Sequence, residues 1–144
     1  MPLLRIAEAG TSRKSQPTVL IVDDEPAIAT TLSLILQSAG YKASIARTGE
    51  EAVEQAKISP PDVLVCDIIL PRTNGVEAAR EIRALCPECQ IILITGNPLN
   101  EELRDKIRTS EFEVMTKPFH PTELIEKLRE RMAADTRREK TRAA

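Results

Sequence analysis

The sequence predicts an α/β domain: a doubly wound, five-stranded parallel sheet with five helices. Three observations predict it. Short apolar segments recur five times, each followed by a stretch whose apolar residues repeat at helical spacing. Two of them, Val19–Val22 and Ile91–Ile94, are apolar without alternation, as strands covered on both faces must be. Regular strand–helix alternation makes the crossovers parallel and puts helices on both faces. A chain of 144 residues is the usual size of one domain, so a second core is not expected.

The elements follow in order. Val19-Leu20-Ile21-Val22 is strand one, and Pro26 suits the first turn of the helix after it. Ile28, Leu32, Ile35 and Leu36 give that helix one apolar stripe, and Gly40 stops it. Residues 42–46 read as strand two. Thr48 and Glu51 have capping-box spacing and open a helix running to about Ile58. Pro60-Pro61 breaks the chain before strand three, Val63 to Cys66, which ends at Asp67. A loop through Pro71 and Gly75 leads into helix three, with Val76, Ala79, Ile82 and Leu85 on one side. Strand four, Ile91 to Ile94, ends at Thr95. Asn97-Pro98 reads as cap and first turn of helix four, whose stripe is little more than Leu99, Leu103 and Ile107. Residues 112–116 form strand five, ending at Lys117, and Leu124, Ile125, Leu128 and Met132 mark the last helix. The domain is therefore placed at 18–132. An N-terminal tail, 1–17, and a basic C-terminal tail, 133–144, lack periodicity and are expected to be mobile.

Charge narrows the function. Each tail carries a net +2, so the body carries −6 against −2 for the whole chain. An acidic body with only Tyr41, Phe112 and Phe119 as aromatics excludes a nucleic-acid-binding core, lacking both the cationic surface and the stacking platform. No apolar run reaches the ~18 residues of a membrane span, so no membrane partner is expected. There is no apolar leader, and three cysteines are not a disulfide framework; the expected compartment is the cytoplasm.

The chemistry lies at the strand ends. Asp23 and Asp24 follow strand one, Asp67 follows strand three, Thr95 strand four and Lys117 strand five. In a doubly wound sheet these ends share one edge, where ligands bind at the reversal of strand order. Singly, each has an ordinary reading: a helix cap for Asp23-Asp24, a turn residue for Asp67, a solvated strand end for Lys117. Together they place three carboxylates in one cleft. Such groups resist ionising together unless a cation neutralises them. Mg²⁺ suits one or two carboxylates with water and phosphate oxygens. Lys117 adds a positive charge, Thr95 a hydroxyl, and Gly96 space for a bulky group. These parts suit phosphoryl transfer, where positioning and charge neutralisation dominate, with a carboxylate as nucleophile.

The segments LIVDDEP (20–26), VLVCDIILPRTNG (63–75), ILITGN (92–97) and TKPF (116–119) resemble the response-regulator receiver family of two-component signalling, over about residues 18–132. The resemblance implies a flavodoxin-like strand order, 2-1-3-4-5. It implies that Asp67 is the phosphoacceptor and that Lys117 and Thr95 bind the phosphoryl oxygens. It implies that Asp24, Asp67 and the backbone carbonyl of Ile69 hold Mg²⁺, with Asp23 acting mainly through water, and that the Lys117–Pro118 bond is cis. It further implies a sensor histidine kinase or phosphotransfer protein as donor and a downstream protein target. The protein is then a switch rather than a turnover enzyme, and its output is the surface of helix four, strand five and helix five, which is also a homodimer surface. The chain is expected to be a single-domain member without an output domain.

One position departs from the family. Where the family usually has Tyr or Phe, three residues before the lysine, this chain has Val114; Phe112 precedes it by two and should share its face. Other signals are set aside. Cys86-Pro87-Glu88-Cys89 closes a helix rather than opening one, so it reads as a loop, not a redox or zinc site. His120 before Pro121 reads as a helix start. An aspartate phosphohydrolase of the haloacid-dehalogenase kind would need DxD after strand one, but position 25 is Glu. A docking module that is never phosphorylated would have no use for the full set of acids, threonine and lysine.

Overall fold

The computed structural model describes residues 16–96 and 100–143, with side chains through residue 134. Strands β1 (Thr18–Val22), β2 (Lys42–Ala46), β3 (Val63–Asp67), β4 (Gln90–Thr95) and β5 (Glu113–Thr116) alternate with helices α1 (Pro26–Ser38), α2 (Gly49–Ile58), α3 (Gly75–Leu85), α4 (Glu101–Arg108) and α5 (Pro121–Ala143). The sheet is parallel throughout, in the order β2-β1-β3-β4-β5. The expected fold class and strand order are both observed.

Side chains alternate along each strand and build one core on either face. Leu20, Val22, Leu64, Cys66, Ile91 and Leu93 point to the α2–α3 side, where Val53, Val76 and Ile82 meet them. Val19, Ile21, Val63, Val65, Ile92 and Ile94 point to the other side, under Leu32, Leu36, Leu124 and Leu128 of α1 and α5. β1, β3 and β4, which carry most of the site, thus emerge from buried and largely apolar ground.

The helix ends follow local chemistry. Pro26 opens α1, and Gly40, at φ 100°, turns the chain after it. Thr48 accepts from the Glu51 N–H, as capping-box spacing requires, while the Glu51 carboxylate reaches back to the Arg47 N–H, one residue beyond the usual partner. Asn74 caps α3 by accepting from the Glu77 N–H.

Four expectations change. Leu85 is 45% exposed, because the buried seam of α3 passes from Ile82 to Cys86, four residues on, instead of three. Strand β5 begins at Glu113, not Phe112. Helix α4 begins at Glu101, with Asn100 accepting from the Leu103 N–H at 2.8 Å. The cap and first turn expected at Asn97-Pro98 fall outside the described residues, as does Leu99. Both asparagines can cap, but only Asn100 is followed by two glutamates, which favour the positive end of a helix. Finally, α5 continues to Ala143, where a mobile tail was expected. An apolar stripe signals burial, not helix formation, and the segment after Met132 is rich in good helix formers.

Helix α4 has no buried residue; Leu103 and Ile107 are its described contacts with the core. A cross-helix ion pair adds to them, Lys106 Nζ to Glu77 Oε2 at 2.9 Å. Lys106 holds the Glu77 carboxyl below its ordinary range, chiefly by hydrogen bonding. A carboxylate depressed in the fold stabilises it above the unfolded pKa, about 4.3, and that contribution disappears as pH falls through the folded value. Replacing Lys106 with alanine is expected to speed amide exchange in α4 no more than a few-fold at neutral pH, because solvent screens so exposed a pair. The difference should disappear once Glu77 is protonated. Exchange followed by mass spectrometry checks this, and equal rates at neutral pH would show that the pair does not hold α4.

Candidate phosphoacceptor site

Register brings the acids together. Val22 is paired with Cys66, so the residues that follow, Asp23 and Asp67, leave adjacent strands side by side. This is the switch point of the sheet, since β2 lies on one side of β1 and β3 on the other. Thr95 is paired with Thr116, so Lys117 leaves β5 next to the end of β4, and its N–H donates to the Thr95 carbonyl at 2.7 Å. Residues far apart in sequence, at the ends of four strands, thereby meet at one edge.

Asp23, Asp24 and Asp67 each offer a carboxylate oxygen, and the three oxygens lie within 4.8 Å of one another. Their surroundings differ. Asp23 is 3% and Asp67 9% exposed, whereas Asp24 turns to solvent. The Asp23 carboxylate accepts from the Glu25 N–H at 2.9 Å, which fixes the turn into α1. Asp67 Oδ1 accepts from the Ile69 N–H at 3.2 Å. Lys117 Nζ bridges the buried pair, 3.4 Å from Asp67 Oδ2 and 3.9 Å from Asp23 Oδ2.

One ammonium does not balance three carboxylates. The Asp23 carboxyl is pushed up, first by burial, then by the charges of Asp67 and Asp24; the Glu25 N–H and Lys117 oppose the rise. A corner that favours protonation of a carboxylate also favours a cation. The donors are hard oxygens of the kind Mg²⁺ prefers, so the residues present fit that ion.

The rest of the expected set is placed as follows. Thr95 is buried at the end of β4. Ile69 is 45% exposed and forms an isolated bridge with Asn74, which pins the loop after Asp67. The space expected beside Gly96 is taken up by the lysine stem, since a Cβ there would lie 3.2 Å from Lys117 Cδ. The Lys117–Pro118 bond is cis. Phe112 and Val114 do share a face, packing toward the α2–α3 core, and the Arg83 guanidinium sits 5.5 Å from the Phe112 ring centroid.

The Cys86–Cys89 pair and His120 have structural roles. Cys86 and Cys89 are buried on a tight turn, and the Cys89 thiol is pushed up to about 12 by burial, which keeps it protonated. His120 starts α5: its Nδ1 accepts from the Thr122 N–H, and its N–H donates to Glu123. Two contributors escaped the sequence reading. Gly75 is where α3 abuts the Asp67 backbone, and the Lys106–Glu77 pair joins residues 29 apart. Neither has a signal in spacing, because both arise from helix packing.

Comparison with known proteins agrees with the geometry. The chain is 35% identical over 111 residues to the chemotaxis protein CheY of Thermotoga maritima, covering 76% of this chain and 92% of that one. It is 36% identical over 109 residues to the alkaline phosphatase synthesis transcriptional regulatory protein PhoP of Bacillus subtilis, covering 74% of this chain but 44% of that protein. The chain thus spans about half the length of several curated relatives. Among solved structures, a CheY-like receiver domain from Methanospirillum hungatei superimposes with a TM-score of 0.80 at 28% identity, covering 86% of this chain and 99% of that one. A BeF3-activated DrrB receiver domain gives 0.72 at 27% identity, covering 82% and 98%. Residues 19–129 match the family described as the response regulator receiver domain, and the chain belongs to that family.

Proposed function

We propose that this chain is a phosphorylation-driven signalling switch in the cytoplasm, with Asp67 as the phosphoacceptor. The observation that carries the reading is the convergence of Asp23, Asp24 and Asp67 around Lys117 at the switch point of the sheet. A histidine kinase or phosphotransfer protein presents a phosphohistidine. The Asp67 carboxylate attacks phosphorus, the P–N bond breaks, and the histidine leaves with the electron pair. Asp23, Asp24, Asp67 and the Ile69 carbonyl would hold Mg²⁺, Asp23 mainly through water. The ion supplies charge neutralisation for the acids and the transferring group. Lys117 and Thr95 are set to bind the phosphoryl oxygens as charge and hydroxyl donor. The output is the α4–β5–α5 surface, read by a protein target or a second copy, and α4 is the element least tied to the core.

Incubation with acetyl phosphate and Mg²⁺, followed by intact mass measurement, tests this. One phosphoryl group is expected on the wild type, with none after Asp67→Asn or in EDTA. Equal labelling of Asp67→Asn would remove Asp67 from the role.

The lifetime of the aspartyl-phosphate follows from its neighbours. Water must attack opposite the Asp67 oxygen. In the receiver family, the residue two after the phosphoacceptor flanks that approach; here it is Ile69, exposed, branched and without a polar group. Slow self-dephosphorylation is expected, with the signal ended by a partner or by back-transfer. Ile69→Asn should accelerate the loss about tenfold by holding a water in line. The decay after donor removal is the measurement, and an unchanged rate would show that position 69 does not govern water access.

A further inference from the structure

The sheet has two edges, β2 and β5, and only β2 lies apart from the α4–β5–α5 surface. On the face of β2 toward α2, Lys42 and Ser44 are exposed and Ala46 is buried. The cover comes from α2, which runs back from the carboxyl edge of the sheet and ends at Ile58, where Pro60-Pro61 turns the chain away. The beginning of β2 is left open. A groove of about 320 Å³ lies there between strand and helix, lined by Leu20, Ala43, Ile58 and Pro61 among others. Leu20 and Pro61 are buried, but Ile58 is 85% exposed.

The backbone beside the groove is open as well, and the ladder fixes which groups point outward. In a parallel strand the N–H and C=O of one residue face the same neighbour, and alternate residues face opposite sides. The Lys42 N–H donates to the Pro17 carbonyl at 2.9 Å, and the Ala46 carbonyl accepts from the Asp23 N–H at 3.1 Å. Lys42, Ser44 and Ala46 therefore face β1, and Ala43 and Ile45 face outward. The Gln55 amide donates to the outward Ile45 carbonyl at 2.9 Å and closes the carboxyl half of the edge. The outward groups of Ala43 have no partner among the described residues. Lys42 is the only charged residue lining the groove, and it forms no ion pair among the described residues. Lys57, beside Ile58, is paired with Glu54 at 3.3 Å.

We infer that this groove is a second docking surface, taken by an extended segment of another protein that adds to the edge of β2 and carries an apolar residue with a carboxylate two positions away. Each part of that segment answers one feature. Its backbone meets the outward N–H and C=O of Ala43, as strand addition requires. Side chains on one face recur every second residue, so the apolar one enters the groove against Ile58 and Leu20 while the acidic one meets Lys42. Charge selects the sign, because a cation and no carboxylate lines the groove. The surface belongs to the amino ends of the strands, whereas Asp67, Thr95 and Lys117 stand at or just past the carboxyl ends. It therefore stands or falls independently of the phosphoacceptor assignment.

The capped heptapeptide Thr-Asp-Thr-Ile-Thr-Asp-Thr, which reads the same in both directions, is the probe. Titrated to about 1 mM into the isotope-labelled full chain at low salt, it should move the amide signals of Lys42–Ile45 and Gln55–Ser59 to saturation. Thr-Lys-Thr-Ile-Thr-Lys-Thr should bind about fivefold more weakly, although residues 18–132 carry a net −6 and favour it by overall charge. Ala43→Pro should weaken the acidic peptide at least tenfold. The Ala43 N–H makes no bond to β1, so the edge strand tolerates proline there while the ring blocks an incoming backbone. Lys42→Glu should reverse the preference between the two peptides, and Ile58→Ser should weaken both about threefold. Circular dichroism verifies folding, and the last two variants, at exposed positions, carry the test where proline disrupts the strand. No shift of these signals, an equal or stronger response to the lysine peptide, or binding unchanged by the variants would each overturn the inference. The same signals moving with protein concentration alone would overturn it too, by showing that a second copy takes the place.

Discussion

Replacing Gly75 with alanine is expected to destabilise the fold by about 3 kcal/mol or more, the upper end of overpacking costs, and to lower Tm by roughly 10 °C. Gly75 is the first residue of α3, and its N–H donates to the Ile68 carbonyl at 2.6 Å. A Cβ there would be driven into the Asp67 carbonyl oxygen, with Asp67 C at 2.9 Å and Cys66 Sγ at 3.0 Å. No flexible side-chain end stands in the way that could yield. The obstacle is the backbone of β3 where it delivers Asp67. Either α3 backs away from the sheet, which opens the Val76–Ile82 packing, or the end of β3 shifts and misplaces Asp67. Both routes should also cut acetyl-phosphate labelling by an order of magnitude or more, since a shift of ~1 Å costs about that in a positioned reaction. Thermal unfolding and labelling rate are the two measurements. A variant with unchanged Tm and labelling would show that α3 has slack against β3.

Lys117→Ala is expected to act on stability and chemistry in a way that Mg²⁺ can separate. Without metal the variant leaves Asp23 and Asp67, both nearly buried, facing each other with their bridging ammonium gone. Removing one partner of a buried charge cluster costs ~3–5 kcal/mol when burial is complete. Lys117 is 26% exposed and its contacts are 3.4–3.9 Å, so about 1–3 kcal/mol is expected at pH 7. The sign with pH follows from Asp23. Its carboxyl is already raised in the fold, so protonation favours the native state and the corner grows less favourable as pH rises through the folded value. Loss of Lys117 raises it further, and the variant should be closest to wild type in mild acid and furthest from it at neutral pH. Mg²⁺ should restore most of the lost stability, because it answers the same excess charge. It should not restore labelling, expected to fall at least tenfold if Lys117 binds the phosphoryl oxygens as proposed. Urea unfolding with and without Mg²⁺, alongside labelling, separates the two effects. Equal stability of variant and wild type without metal would mean that Lys117 does not balance the acids.

The sequence by itself determined the sheet, its five crossovers and the residues at its carboxyl edge. The reason is physical: a parallel strand buried on both faces must be apolar, so the first polar residue after it marks the edge where ligands bind. Asp67 after Val63–Cys66, Thr95 after Ile91–Ile94 and Lys117 after strand five were legible in that way. Tertiary structure decided what each of them experiences. Asp23 and Asp24 are neighbours in sequence, yet one is buried beside Lys117 and the other faces water, because consecutive side chains point in opposite directions as the chain leaves β1. The cap of α4 was read at Asn97, whereas the described helix begins at Glu101 with Asn100 as its cap. The length of α5 was hidden because periodicity reports burial, whereas the helix outlasts its buried face. The demand for glycine at position 75 came from the approach of α3 to the Asp67 carbonyl, a contact between backbones that no pattern of side chains encodes.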